Sequence, residues 1–218
     1  MSANGDLNTR VSDSSVRRLS DYHRILEDLE HQGADVVSSA RLAALAGTNP
    51  AQIRKDLSYF GSFGKRGSGY RVAELRGRIL EILGLTRRWK VVLAGAGNLG
   101  QALCAYKQFT RYGFDIVAVF DNDPAKFGKL CEGIPISALD TCEHIIEATG
   151  AELAIIATPA ASAQAVAERL VKAGIRGFLN FAPRQVDTGA VTAVRHVNIT
   201  VELEWLSFLL CNNGGRVS

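Results

Sequence analysis

Several residue types that mark specialised proteins are scarce in this sequence. Its 218 residues include one Met, two Trp, five Pro and four Cys, and no two cysteines form a CxxC pair. A metal site is therefore not expected, and the cysteines are predicted to be reduced thiols. They are Cys104, Cys131, Cys142 and Cys211.

Long apolar runs are missing as well. No run approaches the roughly 20 apolar residues that a membrane-spanning helix needs. The first 16 residues are polar, which argues against a secretory signal peptide and predicts a disordered lead over residues 1–14. The expectation is a cytoplasmic protein that does not contact a membrane.

The charge is unevenly distributed in a composition that is otherwise ordinary for a globular protein, with 47% hydrophobic and 22% charged residues. Residues 1–90 carry 15 Lys and Arg against 10 Asp and Glu, whereas residues 91–218 carry 10 against 12. A basic front on a near-neutral second half suggests that the front meets a polyanion. An ordinary solvated surface would give the same counts, so charge alone does not decide.

The first half shows the apolar spacing of helices. Ser14 or Ser15 is predicted to cap the first helix, which ends near Gly33. Its apolar positions are Val16, Leu19, Tyr22, Leu26 and Leu29. Ser38 or Ser39 is predicted to cap a second, short helix, which ends at Gly47. Its inward-facing residues are predicted to be Leu42, Ala43, Leu45 and Ala46.

A third helix follows the turn at Gly47, with Thr48 or Asn49 as its cap and Pro50 in its first turn. Its predicted buried stripe is Ile53, Leu57 and Phe60. Two short helices joined by a glycine-containing turn are typical of a helix-turn-helix, whose second helix enters the major groove of DNA. The candidate DNA contacts lie off the buried stripe and are Gln52, Arg54, Lys55, Ser58 and Tyr59.

A glycine-rich segment comes next, with glycines at 61, 64, 67 and 69 around Lys65 and Arg66. These glycines permit a tight hairpin, which would be the wing of a winged helix and would hold both basic side chains against DNA. A fourth helix is predicted over residues 72–83. The alternative is a small helical cap domain whose basic residues are merely solvated.

The second half opens on a nucleotide-binding pattern. A short apolar strand at 90–94 precedes a glycine-rich turn that opens a helix, and a second strand ends at Asp121, 21 residues beyond the last glycine. The turn reads Gly95, Ala96, Gly97, Asn98, Leu99, Gly100. In this context the pattern is typical of a Rossmann dinucleotide site, in which the glycines allow close backbone approach to the pyrophosphate. Asp121 would accept hydrogen bonds from the adenosine ribose, which favours NAD(H) over NADP(H). A Rossmann-like fold without a dinucleotide is the alternative.

Strands and helices continue to alternate after Asp121. Residues 152–160 and 174–183 each contain a strand that ends in a turn, and a helix between them carries Ala165, Val166, Leu170 and Val171. Ligands of doubly wound sheets bind beyond the carboxyl ends of the strands. The residues there, predicted to line the nicotinamide half unless they form ordinary turns, are Thr158, Pro159, Asn180, Phe181, Ala182 and Pro183.

The last helical segment is too apolar to be solvated. Val201, Trp205, Phe208 and Leu209 share one face, and Leu203, Leu206 and Leu210 broaden it. Such a face should dock on a large partner. Its own domain is one candidate and a second subunit is the other, because major-groove readers usually work as dimers.

Four segments resemble the Rex family of redox-sensing transcriptional repressors. They read RKDLSYFGSFGKRGSGY, GAGNLGQAL, FDNDPAKFGK and AGIRGFLNFAP, within a likeness that runs from about residue 15 to 210. The resemblance implies an α/β chain: a winged helix-turn-helix domain at 15–86, a Rossmann doubly wound parallel sheet at 87–199, and a C-terminal domain-swapped helix and tail at 200–218. It also implies a homodimer that binds an inverted-repeat operator in double-stranded DNA when NADH/NAD⁺ is low and is released by NADH.

The resemblance also assigns roles to single residues. It makes Lys55 and Arg66 DNA contacts, and it makes Arg24 and Tyr106 residues that exchange contacts with an acidic residue as the nucleotide changes. The sequence departs from the family there, because Asn198 stands where members often carry Asp. An amide loses the charge-assisted part of such a bond, worth roughly 1 kcal/mol.

Two other functions compete with that of a DNA-binding sensor. An NAD-dependent oxidoreductase with a basic N-terminal extension would need a proton donor near the nicotinamide. No tyrosine has a lysine four residues on, and the four histidines show no obvious carboxylate partner, so no catalytic residue is predicted. They are His23, His31, His144 and His196. A nucleotide-binding subunit that regulates another protein would leave the basic wing unexplained.

Overall fold

The computed structural model describes residues 12–61, 69–190 and 192–212. Most of the predicted disordered lead lies outside these residues, but its last part is ordered, because Ser12 caps a helix that begins at Asp13. Lys65 and Arg66 of the predicted wing also lie outside the described residues. The chain divides into two compact units, Met1–Arg87 and Arg88–Ser218.

The described residues of the first unit form four helices and one short ribbon. The helices are α1 (Asp13–His31), α2 (Ser39–Leu45), α3 (Pro50–Ser58) and α4 (Val72–Ile82). Strands β1 (Val36–Val37) and β2 (Tyr70–Arg71) pair antiparallel. Gly69, just before β2, has φ +74°, and a Cβ on it would lie 2.8 Å from the Val37 carbonyl oxygen, so the ribbon needs glycine at this point.

The helix caps confirm two sequence predictions and correct one. Ser38 accepts a hydrogen bond from the Arg41 N–H, and Asn49 accepts one from the Gln52 N–H at 2.9 Å. Pro50 opens α3 as expected. The cap of α1 is Ser12, not Ser14 or Ser15: Ser12 Oγ accepts from the Ser15 N–H, while the Ser15 side chain turns inward and is buried.

The core of the first unit is formed by one face of α1 with the inner sides of the other helices. Leu19, Tyr22, Leu26 and Leu29 of α1 are buried as predicted. Four predicted core residues are not fully buried: Val16 at the start of α1 and Leu45 at the end of α2 are exposed, and Ala46 and Phe60 are half-buried. In a helix of seven residues the buried stripe is narrow, and Leu42 and Ala43 fill it.

The second unit contains a seven-stranded sheet. Its strands are β3 (Trp89–Ala94), β4 (Phe114–Asp121), β5 (Leu130–Cys131), β6 (Ile134–Ala138), β7 (Leu153–Ile156), β8 (Gly177–Asn180) and β9 (Ala193–His196). Their order is β5-β6-β4-β3-β7-β8-β9, and all pairs are parallel except β5–β6. Because β3 lies between β4 and β7, the order in which the strands follow one another across the sheet reverses at β3. Ligands of doubly wound sheets bind at the carboxyl ends of the strands at such a point.

Helices cover both faces of this sheet. They are α5 (Asn98–Cys104), α6 (Gln108–Arg111), α7 (Cys142–Thr149) and α8 (Ala160–Lys172). Helices α7 and α8 pack on one face and α5 and α6 on the other, each with its own apolar core. On α8 the buried positions are Ala163, Val166, Ala167 and Leu170. Of the residues named on this helix from the sequence, Val166 and Leu170 are buried, Val171 is half-buried and Ala165 is exposed.

The last helix, α9 (Ile199–Asn212), has no buried residue. Leu209 alone is half-buried, and Trp205, Leu206 and Phe208 are exposed by 57%, 49% and 62%. Packing of this face on its own domain, one of the two sequence predictions, does not occur among the described residues. In the described part of the chain we find no helix with both the length and the apolar character to cross a membrane.

Candidate functional site

A cavity of about 680 Å³ opens beside the carboxyl ends of β3, β4 and β7. Nine of the residues predicted to hold a nucleotide line it. They are Gly95, Gly97, Asn98, Leu99, Asp121, Thr158, Pro159, Phe181 and Pro183. Its volume lies in the range of small-molecule and cofactor sites.

The glycine loop is shaped by close backbone packing. Gly95 has φ +102°, and a Cβ on it would lie 2.6 Å from the Ala157 carbonyl oxygen at the end of β7. A Cβ on Gly100 would overlap the Gly95 carbonyl oxygen. A Cβ on Gly97, by contrast, would meet no protein atom within 4 Å. Gly95 and Gly100 therefore allow the loop to pack tightly against neighbouring backbone. At Gly97 the backbone faces free space in the cavity, as the close approach of a pyrophosphate requires.

Asp121, the last residue of β4, is held by three hydrogen bonds. Its Oδ2 accepts from the Ala96 N–H at 2.8 Å and from Lys126 Nζ at 2.9 Å, and its Oδ1 accepts from the Asp123 N–H at 2.9 Å. Burial alone would raise the pKa of Asp121, but the bonds from Asp123, Lys126 and Ala96 together lower it below its usual value. The side chain is therefore an oriented carboxylate at neutral pH.

Lys126 is a cavity residue that the sequence analysis missed. It ends a single 3₁₀ turn, Pro124–Lys126, which Asp123 caps by accepting from the Ala125 N–H at 2.9 Å. The signal was present in the sequence, since an Asp-Pro pair favours a tight turn and such a turn sends the following lysine back towards Asp121. The other lining residues outside the prediction are Ala94, Phe120, Asn122, Asp123, Leu139, Ala157, Ser162 and Val166.

Thr158 carries an unsatisfied polar atom. Its Oγ1 is buried and has no hydrogen-bond partner among the described residues. A buried hydroxyl without a partner is costly unless a ligand or water completes it. With the open backbone at Gly97 and the carboxylate of Asp121, this atom makes the cavity a fit for a dinucleotide.

Four predicted nucleotide contacts lie outside the cavity lining: Ala96, Gly100, Asn180 and Ala182. Asn180 is fully buried, and its amide is used within the protein. Its Oδ1 accepts from the Ala182 N–H at 3.0 Å, and its Nδ2 lies 2.7 Å from the Arg184 carbonyl oxygen and 3.0 Å from His196 Nδ1. Asn180 therefore shapes the loop that presents Phe181 and Pro183 instead of lining the cavity itself.

In the first unit, α3 exposes most of the predicted DNA contacts. Arg54, Lys55, Ser58 and Tyr59 are exposed. Arg54 Nη1 donates to Ser39 Oγ at 3.1 Å, which ties the N-terminal end of α2 to α3. Gln52 differs, because it is half-buried and its Nε2 donates to Asp56 Oδ1 at 2.8 Å.

Asp56 is the centre of a polar cluster that the sequence analysis did not anticipate. Its side chain is fully buried and accepts from Arg18 Nε at 2.6 Å, Arg18 Nη2 at 2.7 Å and Tyr22 Oη at 2.8 Å, besides Gln52. Burial raises the pKa of Asp56, but the bonds from Arg18, Tyr22 and Gln52 outweigh it and lower the pKa below its usual value. The cluster joins α1 to the exposed helix α3.

Two family models match this chain: "CoA binding domain" over residues 86–184 and "Putative DNA-binding protein N-terminus" over residues 10–58. Curated relatives match nearly its whole length. A protein of Carboxydothermus hydrogenoformans is 49% identical over 91% of this chain and 96% of its own, and one of Streptomyces avermitilis is 46% identical over 91% and 79%. Both are named "Redox-sensing transcriptional repressor Rex". The chain belongs to the Rex family.

Solved Rex-family structures share the fold along the chain. The repressor RSP in complex with NAD⁺ and operator DNA is 35% identical and has a TM-score of 0.89 over 94% of both chains. RSP in complex with NADH is 33% identical, with a TM-score of 0.84 over 94% of this chain and 96% of RSP. Rex relatives are repressors and not enzymes, which decides against the oxidoreductase alternative.

The structure places the three residues that the Rex resemblance links to switching on different elements. Arg24 is exposed on α1 of the first unit. Tyr106 is 53% exposed, and its ring stands edge-on to Phe109 at 5.2 Å between centroids. Asn198 Oδ1 accepts from the Thr200 N–H at 3.0 Å and so caps α9.

Proposed function

We propose that this Rex-family protein is a cytoplasmic redox-sensing repressor that binds an inverted-repeat operator as a homodimer when NADH/NAD⁺ is low and leaves it when NADH binds. The observation that carries this is the likeness, along 94% of both chains, to a Rex-family repressor solved with NAD⁺ and operator DNA. The cavity supports it, because each of its features suits one part of a dinucleotide.

The glycine loop and Asp121 would hold the nucleotide, with the pyrophosphate against Gly97 and the adenosine ribose at Asp121. Thr158, Phe181 and Pro183 would face the nicotinamide. The bound nucleotide supplies the signal, since oxidation leaves a cationic ring and reduction a neutral one. Apolar walls such as Phe181 and Pro183 disfavour the desolvated cation, so they favour NADH. A ligand shifts the DNA-competent state only by this kind of differential affinity.

The exposed face of α3 would enter the major groove, with Arg54, Lys55, Ser58 and Tyr59 towards DNA and Gln52 braced by Asp56. Lys65 and Arg66 of the wing would contact the backbone or minor groove. Helix α9 would pair with a second copy, because its apolar face is exposed on a single chain. Arg24, Tyr106 and Asn198 would exchange contacts as the nucleotide changes, with Asn198 weakening the switch relative to Asp.

Lys55→Ala should weaken DNA binding at every sequence and flatten its dependence on salt. Each lost phosphate contact lowers the slope of log K against log salt by about 0.9. The measurement is operator and scrambled-duplex affinity from 50 to 200 mM salt. Lys129→Ala removes another exposed charge, from the second unit, and should leave both slopes unchanged. An unaltered slope in Lys55→Ala would remove this residue from the phosphate contacts.

The proposed function is tested by fluorescence anisotropy of a labelled inverted-repeat duplex, repeated with NADH and with NAD⁺ at one salt concentration. Tight binding that NADH releases at concentrations where NAD⁺ does little is the expected result. Binding that ignores both nucleotides would refute the redox switch, and the Asn198→Asp variant would then show whether the lost carboxylate is the cause. No preference over a scrambled duplex would refute operator recognition.

A further inference from the structure

The carboxylate of Asp121 has little capacity left for a ligand. A carboxylate offers about four acceptor positions, and the Ala96 N–H, the Asp123 N–H and Lys126 Nζ already occupy three of them. A ribose presents two hydroxyl groups. Asp121 can therefore accept from one of them while all three of its present bonds persist, and the second hydroxyl needs another partner.

Lys126 is placed to be that partner. It lines the same cavity, and its side chain is 32% exposed. A ligand in the cavity can therefore contact this side chain. An ammonium group has three N–H donors. One is used on Asp121, and the other two have no partner among the described residues. The capped 3₁₀ turn fixes the backbone from which this side chain extends.

We propose that Lys126 is a second ribose-binding residue, which donates to one adenosine hydroxyl while Asp121 accepts from the other, and that the Asp121–Lys126 pair sets the preference for NAD(H) over NADP(H). This inference rests on the proposed nucleotide function. It adds a role for a residue outside the glycine-loop pattern, and it makes selectivity a property of two side chains.

The selectivity follows from what surrounds the carboxylate. The Ala96 N–H, the Asp123 N–H and the Lys126 ammonium all point at its oxygens from 2.8–2.9 Å. Donors converging in this way would suit phosphate oxygens equally well. With Asp121 present, its negative charge repels a 2′-phosphate and occupies these donors. Without it, the same three donors form an anion site where the 2′-phosphate of NADP(H) would lie.

The test is the affinity of the full-length protein for NADH and NADPH, measured by calorimetric titration without DNA. Asp121→Ser should gain about tenfold or more in NADPH affinity over wild type and lose NADH affinity. Adding Lys126→Gln to that variant should remove the NADPH gain, and adding Lys126→Arg should keep it. Lys126→Gln alone should weaken NADH binding by about tenfold or more, the loss of one hydrogen bond to a charged group.

Lys129→Gln is the matched control, because it removes a nearby exposed charge outside the cavity lining and should change neither affinity. Wild-type NADH affinity in Lys126→Gln would overturn the ribose role, and an NADPH gain that survives Lys126→Gln would overturn the selectivity role. Should Asp121→Ser not fold, Lys126→Gln still decides, since its side chain is partly exposed. A wild-type protein that binds neither nucleotide would overturn the proposed function as well, which separates the two failures.

Discussion

Replacing Arg18 with methionine should lower the free energy of unfolding of the first unit by about 3 kcal/mol, the lower part of the range for removing one partner of a buried ion pair. The reason is Asp56, whose fully buried carboxylate would lose both bonds from Arg18 and keep those from Tyr22 and Gln52. The measurement is urea unfolding of the full chain followed by circular dichroism, with hydrogen exchange of α1 and α3 to assign the loss to this unit.

Arg17→Met is the control, because Arg17 is the exposed neighbour of Arg18 on the same helix. It should change the stability by less than about 0.5 kcal/mol. Equal losses in both variants would show that helix propensity or net charge, and not the Asp56 cluster, sets the stability. The Arg18 variant should also lose operator affinity, because Asp56 braces Gln52 on α3.

The stability lost in Arg18→Met should depend on pH through the ionisation of Asp56. The folded-state pKa of Asp56 lies below its unfolded value. Its stabilisation is therefore complete above the unfolded pKa of about 3.9 and disappears as pH falls through the folded pKa. In Arg18→Met the burial of the carboxyl works against ionisation, so the difference between variant and wild type should be largest near pH 7 and shrink in acid.

Gly97→Ala should separate nucleotide binding from folding. A Cβ there meets no protein atom, and Gly97 has φ −80°, so the stability should stay within about 0.5 kcal/mol of wild type. The methyl group would instead stand where the pyrophosphate approaches. Overpacking of about 1–3 kcal/mol would lower the affinity for NADH roughly 5- to 150-fold. Calorimetric titration with NADH and a thermal melt measure the two quantities.

Gly100→Ala provides the contrast, because its Cβ would overlap the Gly95 carbonyl oxygen. It should reduce the melting temperature and NADH affinity together. A Gly97 variant that binds NADH as tightly as wild type would contradict the placement of the pyrophosphate. A Gly97 variant destabilised as much as Gly100→Ala would contradict the open space around Gly97.

Much of the fold was predictable because its signals are local. The cap at Asn49, the proline after it and the strand, glycine loop and helix around Gly95 each depend on neighbours a few residues away. The Rossmann pattern also predicted most of the cavity, since parallel strands bring their carboxyl ends together. For this cavity, the prediction needed only the sequence in which strands, glycine loop and helix follow one another.

The rest depended on tertiary contacts that spacing does not encode. Asp56, a charged residue beside the basic Arg54 and Lys55, reads as solvent-facing, yet Arg18 and Tyr22 approach it from 38 and 34 positions earlier. Asn180 ends a strand and so was expected at the cavity, but its amide bonds to Ala182, Arg184 and His196 instead. Which polar side chains a fold uses for itself is settled only once distant segments meet.

The bare apolar face of α9 has a consequence for the life of the protein in a cell. Under the proposed pairing of α9, a newly made copy would carry Trp205 and Phe208 uncovered until it meets another, and exposed surface of this kind is what chaperones and proteases act on. The abundance of the protein would then depend on how fast copies find each other as well as on how fast they are synthesised. A cell that makes few copies would lose a larger share of them before they pair, which sharpens the threshold at which regulation begins.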